Sequence, residues 1–279
     1  MVALGDLVLN NLEADGTAWA IGEFEGWEGS PASTVELTKR ARGHGSTSSE
    51  GFLAHRTMTI SGTVKTAYGE LSYAEDRLNA ACSLAPFQLA VVEAGRIRHA
   101  IAKRQDEVSF RSRPGSKTTA DFSIQFVAKD PLKYGDLVTQ STPLPFTDEG
   151  DTQYPITYPV TYSGTSGTGV VRISNPGNTQ APVWLRVDGP IPLGGWTVTH
   201  VGKQQTLTFA SALALGAGEF VTVDMERREV LAQGQAPRAG YVTSRGWFSL
   251  DPGDNDIAFS AQNYSPTALL TVTTKPAWA

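Results

Sequence analysis

Residues 122–127, FSIQFV, alternate Phe122, Ile124 and Phe126 with Ser123, Gln125 and Val127. That is the period-two pattern of a half-buried strand. The strand runs into Asp130-Pro131, where proline removes a ladder donor and restricts the residue before it, so the chain must leave the sheet there. Upstream, residues 56–65 (RTMTISGTVK) repeat the same alternation, residues 7–12 read as a short first strand, and residues 19–27 (WAIGEFEGW) space large apolar groups with Gly and Glu. Residues 87–93 and 96–103 flank Ala94-Gly95, and residues 108–113 and 118–127 flank Pro114-Gly115-Ser116, so each pair predicts a hairpin. Only residues 69–84 change period. There Leu71, Ala74, Leu78, Ala81, Cys82 and Ala85 recur at three- and four-residue steps, Glu70, Glu75, Asp76, Arg77 and Asn79 point the other way, and Pro86 follows. This predicts one amphipathic helix packed on a sheet through Leu71, Leu78 and Cys82.

Two stretches lack periodicity. Residues 40–51, RARGHGSTSSEG, are polar and rich in Gly and Ser, so they bury too little apolar surface to order themselves. They read as a long hairpin tip between strand-like residues 35–39 and 56–65, either a flexible loop or a subunit contact. Residues 136–158 carry Pro143, Pro145, Pro155 and the acidic Asp148, Glu149 and Asp151, and read as an extended linker. Beyond it, alternating segments at 169–174, 183–188, 196–201, 205–209, 220–224, 229–231, 257–260 and 269–274 are punctuated by NPGN, LGAGE and DPGDND. Short strands so punctuated predict an antiparallel β-sandwich of jelly-roll type. The chain therefore reads as two domains, 1–135 and 136–279, meeting at the Asp130-Pro131 break.

Composition narrows the function. The chain has 279 residues and a net charge of -5. Residues 1–135 hold 15 Lys and Arg against 16 Asp and Glu, and the remainder 8 against 12, so neither half has the bulk charge of a nucleic-acid-binding domain. Lys103, Arg104, Arg111, Arg113 and Lys117 gather near adjacent strand ends, but Asp106, Glu107 and Asp121 are interspersed, which favours a solvated or subunit-facing rim over a phosphate site. The single cysteine, Cys82, excludes an internal disulfide and a Cys-based zinc site, and its helical position predicts a buried thiol. The start MVALGDLVLNNL has no basic n-region and an early Asp6, unlike a signal peptide, and no run reaches the ~20 apolar residues of a membrane span. No cofactor or metal is expected. His44, His55, His99 and His200 lack ligand spacing, GTSGTG at 164–169 lacks the lysine and helix of a phosphate loop, and Ser46, Ser48 and Ser49 lack a nucleophile elbow. Asp251, Asp254 and Asp256 have the chemistry of calcium ligands, but the DPG turn already explains two of them, so a metal is not expected there. No catalytic constellation is present in this reading.

The succession of RTMTISGTV, a helix containing DRLNAA, two hairpins, FVAKDPLKYG, RISNPGN, VTVDMERREVL, GWFSLDPGDNDIAFS and a final strand resembles the distal tail protein (Dit) family of long-tailed, non-contractile phages, often labelled minor tail proteins. The resemblance covers nearly the whole chain and lies in order and spacing rather than in any one motif. It implies a mainly β chain: an N-terminal belt domain, a β-sandwich with one α-helix and a long hairpin, and a C-terminal galectin-like or jelly-roll sandwich. It also implies a structural virion protein, a homohexameric hub ring at the tail tip, made in the host bacterial cytoplasm. The ring would join the major tail tube protein to the tail hub or tail-associated protein and the tape measure protein. Its lumen would pass the genome without specific nucleic-acid binding. In that setting Arg40, Arg42, His44, Ser46 and Glu50 fall on the hairpin that lies on a neighbouring subunit. The alternative is a tail adhesin that binds host-surface carbohydrate through the C-terminal sandwich, with Trp184, Trp196, Trp247 and Trp278 as stacking candidates. Alternation assigns Trp184 and Trp247 to strands with core roles.

Overall fold

The computed structural model describes residues 1–148 and 165–279. Glu149, Asp151, Pro155 and Gly164, which belong to the expected linker and the GTSGTG turn, lie outside the described residues. The chain is mainly β and divides into two units, Met1–Gly135 with Trp278–Ala279, and Asp136–Ala277.

The first unit is built on an eleven-stranded sheet whose main path of eight strands folds into two leaves. One leaf orders Leu7–Leu9, Val2–Leu4, Phe87–Glu93 and Arg96–Arg104, and the other orders Thr119–Ala128, Arg56–Lys65, Ala18–Glu25 and Asn11–Leu12. They join only where Lys103 and Arg104 pair with Val127 and Phe126, which leaves the leaves free to close on a common core. The longest ladder is Arg56–Lys65 against Thr119–Ala128, in register over its whole length from Arg56↔Ala128 to Lys65↔Thr119. Its alternation buries Met58, Ile60, Val64, Phe122, Ile124 and Phe126 on one face. Gly62 lies in this ladder because a Cβ there would sit 2.2 Å from the Ala20 carbonyl oxygen and 2.8 Å from the Phe122 ring. The expected single strand at 7–12 is two short ones, Leu7–Leu9 and Asn11–Leu12, and a further strand, Val2–Leu4, precedes them. Val2–Leu4 and Leu7–Leu9 form a tight hairpin about Gly5, whose φ of +56° favours glycine, and both strands put leucines in the core.

The helix spans Leu71–Ala81, shorter at both ends than the 69–84 expected from periodicity. Gly69 adopts φ +91° before it, and Ala85, expected on the packed face, is exposed beyond its end. Ala74, Leu78 and Cys82 are buried against the sheet and Leu71 is half-buried. Arg77, expected on the solvated face, instead forms an ion pair with Glu13 that ties the helix to the turn before Ala18–Glu25. Burial pushes the Cys82 thiol up to about 12.

The second unit packs a six-stranded sheet (Val138–Pro143, Leu269–Thr274, Val183–Asp188, Phe220–Asp224, Glu229–Ala232, Ala236–Pro237) against a five-stranded one (Val170–Asn175, Gly253–Ala261, Trp196–His200, Gln205–Phe209, Val242–Arg245). Val138–Pro143, within the expected linker, is an edge strand paired with Leu269–Thr274; Pro143 is tolerated because it sits at the end of that edge. The DPGDND segment is only partly a turn. Gly253–Ala261 is a continuous strand, so Asp254, Asn255 and Asp256 lie in a ladder with Ser174, Ile173 and Arg172. The tryptophans also depart from expectation. Trp196 is core, stacked on Phe209 at 3.7 Å, Trp184 faces outward from its sheet, and Trp247 is half-buried outside any strand.

A polar network closes this sandwich at one end. His200 is buried; its Nε2 donates to Asn255 Oδ1 at 3.0 Å, and its Nδ1 accepts from the Lys203 backbone N–H at 3.2 Å, which defines a neutral imidazole. Asn255 donates in turn to the carbonyls of Asp251 and Gly253, and Lys203 Nζ meets Asp251 at 2.8 Å. Arg172 grips Asp256 through two hydrogen bonds at 2.8 and 3.1 Å. Protein cations therefore neutralise two of the three aspartates weighed as calcium ligands, and no group of three metal-ligating side chains occurs among the described residues.

Two outcomes follow from these cores. Leu78→Ala empties a fully buried site and is expected to cost about 2 to 5 kcal/mol, read as a lowered thermal midpoint, while Cys82 in the native protein resists thiol reagents until unfolding exposes it. Burial, ahead of the opposing Asn255 hydrogen bond, holds His200 below its ordinary pKa. The unfolded chain then takes up a proton that the native state refuses, so stability is full above about pH 6.5 and falls as the pH drops below it. Calorimetry of the full chain between pH 7.5 and 5 is expected to show this loss, and His200→Gln to flatten it.

Candidate functional site

The arm begins where Ala18–Glu25 ends. Phe24 stacks on Trp27 at 5.9 Å, Trp27 is buried, and the chain then leaves the sheet to return at Arg56. In between, Ser33–Thr34 pairs with Phe52–Leu53, and Leu37–Lys39 pairs with Ser46–Ser48. Between the two ribbons, Glu36 N–H donates to Ser49 Oγ at 3.1 Å and Ser49 N–H to the Glu36 carbonyl at 2.9 Å. Gly43 and Gly45 supply the positive φ angles of the tip, +123° and +96°. Every residue from 32 to 52 is exposed, including Arg40, Arg42, His44, Ser46 and Glu50. The arm also exposes apolar groups that the polarity of the tip conceals: Leu37 is 69% and Phe52 68% accessible, with Val35 beside them. A two-stranded ribbon with no core beneath it is marginal by itself in water.

The root of this arm is held by a buried guanidinium. Arg56 Nη1 donates to the carbonyls of Gly26, Trp27 and Gly29 at 2.9, 3.1 and 3.2 Å, and its Nε donates to the Pro131 carbonyl at 3.0 Å. Lys133 Nζ adds a bond to the Trp27 carbonyl at 3.1 Å and lies 5.5 Å from the Trp27 ring. Burial lowers the pKa of both cations, and for Lys133 the neighbouring Arg56 charge adds to the effect. On the other side, Trp27 Nε1 donates to Glu93 at 2.5 Å, Arg98 pairs with Glu93 at 3.1 Å, and the Arg98 guanidinium lies 4.7 Å from the Trp278 ring. Gly26 is required here, since at φ +78° a Cβ would sit 2.0 Å from the Thr57 carbonyl oxygen. The same cluster fixes the Asp130-Pro131 break. Asp130 Oδ1 accepts from Leu132 N–H at 3.0 Å, its Oδ2 accepts from the Tyr134 hydroxyl at 2.6 Å, and Arg56 holds the carbonyl between them. Arg56 and Lys133 were not legible as site residues, because Arg56 reads in sequence as a charged strand end and Lys133 as a charge just past the Asp130-Pro131 break.

The remaining candidates do not join this cluster. Leu71, Leu78 and Cys82 are packing residues of the helix. In the basic rim, Arg113 is committed to Asp121 at 2.7 Å and to the Thr63 hydroxyl, and Lys117 lies over Tyr68. What the geometry supplies is a first unit with a packed core carrying a long exposed arm, together with a two-sheet sandwich.

Residues 176–278 match the family model described as siphovirus-type tail component, C-terminal domain (SPP1_Dit). No curated protein sequence matches the chain. Among solved structures, the Dit (gp 19.1) protein of SPP1, described as a paradigm of hub adsorption apparatus in Gram-positive-infecting phages, is similar over 93% of both chains at 12% identity and a TM-score of 0.66. A chain of the phage P2 baseplate in its activated conformation with Ca is 13% identical over 91% of this chain and 89% of that one, with a TM-score of 0.47. Residues 176–278 thus match a siphovirus-type tail component C-terminal domain, on a chain that shares the fold of the SPP1 Dit protein.

Proposed function

We propose that this chain is a structural subunit of a long non-contractile phage tail, closing as a homohexamer into a hub ring at the tail tip. In this reading residues 1–135 form the ring-forming belt domain, residues 136–279 the C-terminal β-sandwich domain, and the ring joins the major tail tube protein to the tail hub or tail-associated protein and the tape measure protein. The observation that carries the reading is the arm, set on a fold shared with SPP1 Dit. Ordering a segment costs roughly 1 to 2 kcal/mol of backbone entropy per residue, and all 21 successive residues from 32 to 52 stay exposed on their own chain. Val35, Leu37 and Phe52 give the arm an apolar strip that a second copy would cover. Arg40, Arg42, His44, Ser46 and Glu50 would supply the polar contacts around it. A head-to-tail contact of this kind repeats around a cyclic ring, each subunit giving an arm and receiving one.

Sedimentation velocity tests the reading. The full chain is expected to sediment as a closed ring, whereas replacing residues 42–49 by a short Gly-Ser turn is expected to leave folded monomers. Phe52→Ser is expected to weaken ring closure without lowering the thermal midpoint of the monomer. Rings that survive both changes would assign the arm no role in assembly. Immunogold labelling of virions at a site other than the tail tip would refute the placement.

A further inference from the structure

An arm that leaves its own subunit needs a receiving surface, and three faces of the first unit differ in what they offer. The arm itself is apolar at Leu37 and cationic beyond it. Lys39, Arg40 and Arg42 are exposed without a side-chain hydrogen bond or ion pair among the described residues, and no carboxylate lies between Leu37 and Ser49. The outward face of Arg56–Lys65 and Thr119–Ala128 presents mostly small polar groups, Thr59, Ser61, Thr63, Ser123 and Gln125, which cannot cover an apolar strip. The outward face of Phe87–Glu93 and Arg96–Arg104 is apolar, with Val92, Ile97 and Ile101 exposed. Alternation places Lys103 on that face and no carboxylate, so its charge has the same sign as the arm.

The third face joins both properties. The Gly5-Asp6 turn, between Val2–Leu4 and Leu7–Leu9, and the C-terminal half of the helix bound a groove of about 370 Å³ lined by Leu4, Leu7, Ala80, Ala81 and Phe87. Asp6 stands exposed at its edge with no side-chain hydrogen bond or ion pair among the described residues. Arg77, the one cation in the lining, donates to Glu13 at 2.9 Å and lies 3.9 Å from Asp15. Three carboxylates therefore face one guanidinium, and Asp6 is the one left without a counter-charge. An apolar centre inside a charged rim is the anatomy of a protein contact. The arm carries the complement. Leu37 and Lys39 alternate onto one face of the ribbon that pairs Leu37–Lys39 with Ser46–Ser48, about 7 Å apart, so a leucine and an ammonium arrive together. Opposite charge at the groove edge then sets the register of the arm. Resting on the arm as a subunit contact, we propose that the groove between the Gly5-Asp6 turn and the helix receives the arm of a second copy, with Leu37 in the groove and Lys39 on Asp6.

Sedimentation velocity of full-length variants tests this beside the arm-shortened form. Ala80 is exposed, so Ala80→Trp fills the groove without entering the core, and it is expected to abolish rings while leaving the circular dichroism spectrum unchanged. Asp6→Lys and Lys39→Glu are each expected to raise the concentration of half-assembly by about tenfold, and a chain carrying both to restore it. Without any substitution, carbodiimide coupling of an equal mixture of isotope-labelled and unlabelled chain is expected to join Lys39 of one copy to Asp6 of another. Rings that persist in Ala80→Trp while the shortened arm gives monomers overturn the groove and leave the arm as a subunit contact. A double exchange that fails to restore rings, or coupling of Lys39 only to carboxylates elsewhere, overturns the pairing with Asp6. A full chain that stays monomeric removes the role of the arm and that of the groove with it.

Discussion

Much of the first unit depends on one buried guanidinium. Arg56 stands at the start of the strand that anchors the longest ladder, and its donors fix four carbonyls, three at the root of the arm and one at the Asp130-Pro131 break. An isolated charge at that depth would be prohibitive, and the hydrogen bonds offset the lost hydration. The arrangement works in both directions. The carbonyls of Gly26, Trp27, Gly29 and Pro131 belong to chain that has left the ladder; that of Trp27 is shared with Lys133, and the other three would lose the arginine as donor. The planar fork of arginine can reach several carbonyls at once, which the point charge of a lysine cannot. Lys133 supplements it from another direction.

Fixing the root separates two kinds of structure that sit side by side in sequence. Inside the root, strands bury alternate residues and carry their own stability. Outside it, the arm satisfies its backbone hydrogen bonds locally and exposes its side chains. A rigid base makes such an arm useful, since its direction is set before any partner arrives and less freedom is lost on binding. In the second unit, the network of His200, Asn255, Lys203 and Asp251 similarly holds one end of the sandwich, and it uses the acidic residues that could otherwise suggest an ion site.

The outer face of the six-stranded sheet illustrates how antiparallel sheets divide labour. The inner residues of Val183–Asp188 and Phe220–Asp224 make the core, and the same register delivers hydroxyls, carboxylates and one indole to the opposite face in aligned rows. Thr139 with Thr273, and Ser141 with Thr271, lie at 3.2 and 3.0 Å across the edge pair, so the polar face is ordered to its margin.

The sequence by itself determined the parts governed by local periodicity. The ladders 56–65 and 119–128, the hairpin about Ala94-Gly95, the helix around Leu78 and most strands of the sandwich are readable because alternation or a three-to-four spacing reports which face is buried. It also located the arm, since a Gly- and Ser-rich stretch cannot bury itself, and the break at Asp130-Pro131. Tertiary structure decided what depends on distant partners. Val138–Pro143 looks like linker until Leu269–Thr274 pairs with it. Asp254 to Asp256 look like a turn until they meet Val170–Asn175. Alternation in Val183–Asp188 puts Val183, Leu185 and Val187 on the covered face and Trp184 beside Arg186 and Asp188 on the other, so the core role expected for Trp184 ran against the pattern, because a large aromatic side chain suggests burial wherever it stands. Arg56 and Lys133 were invisible as a clamp because the carbonyls they hold lie 27 to 106 residues away along the chain, and backbone acceptors leave no signature in composition or spacing.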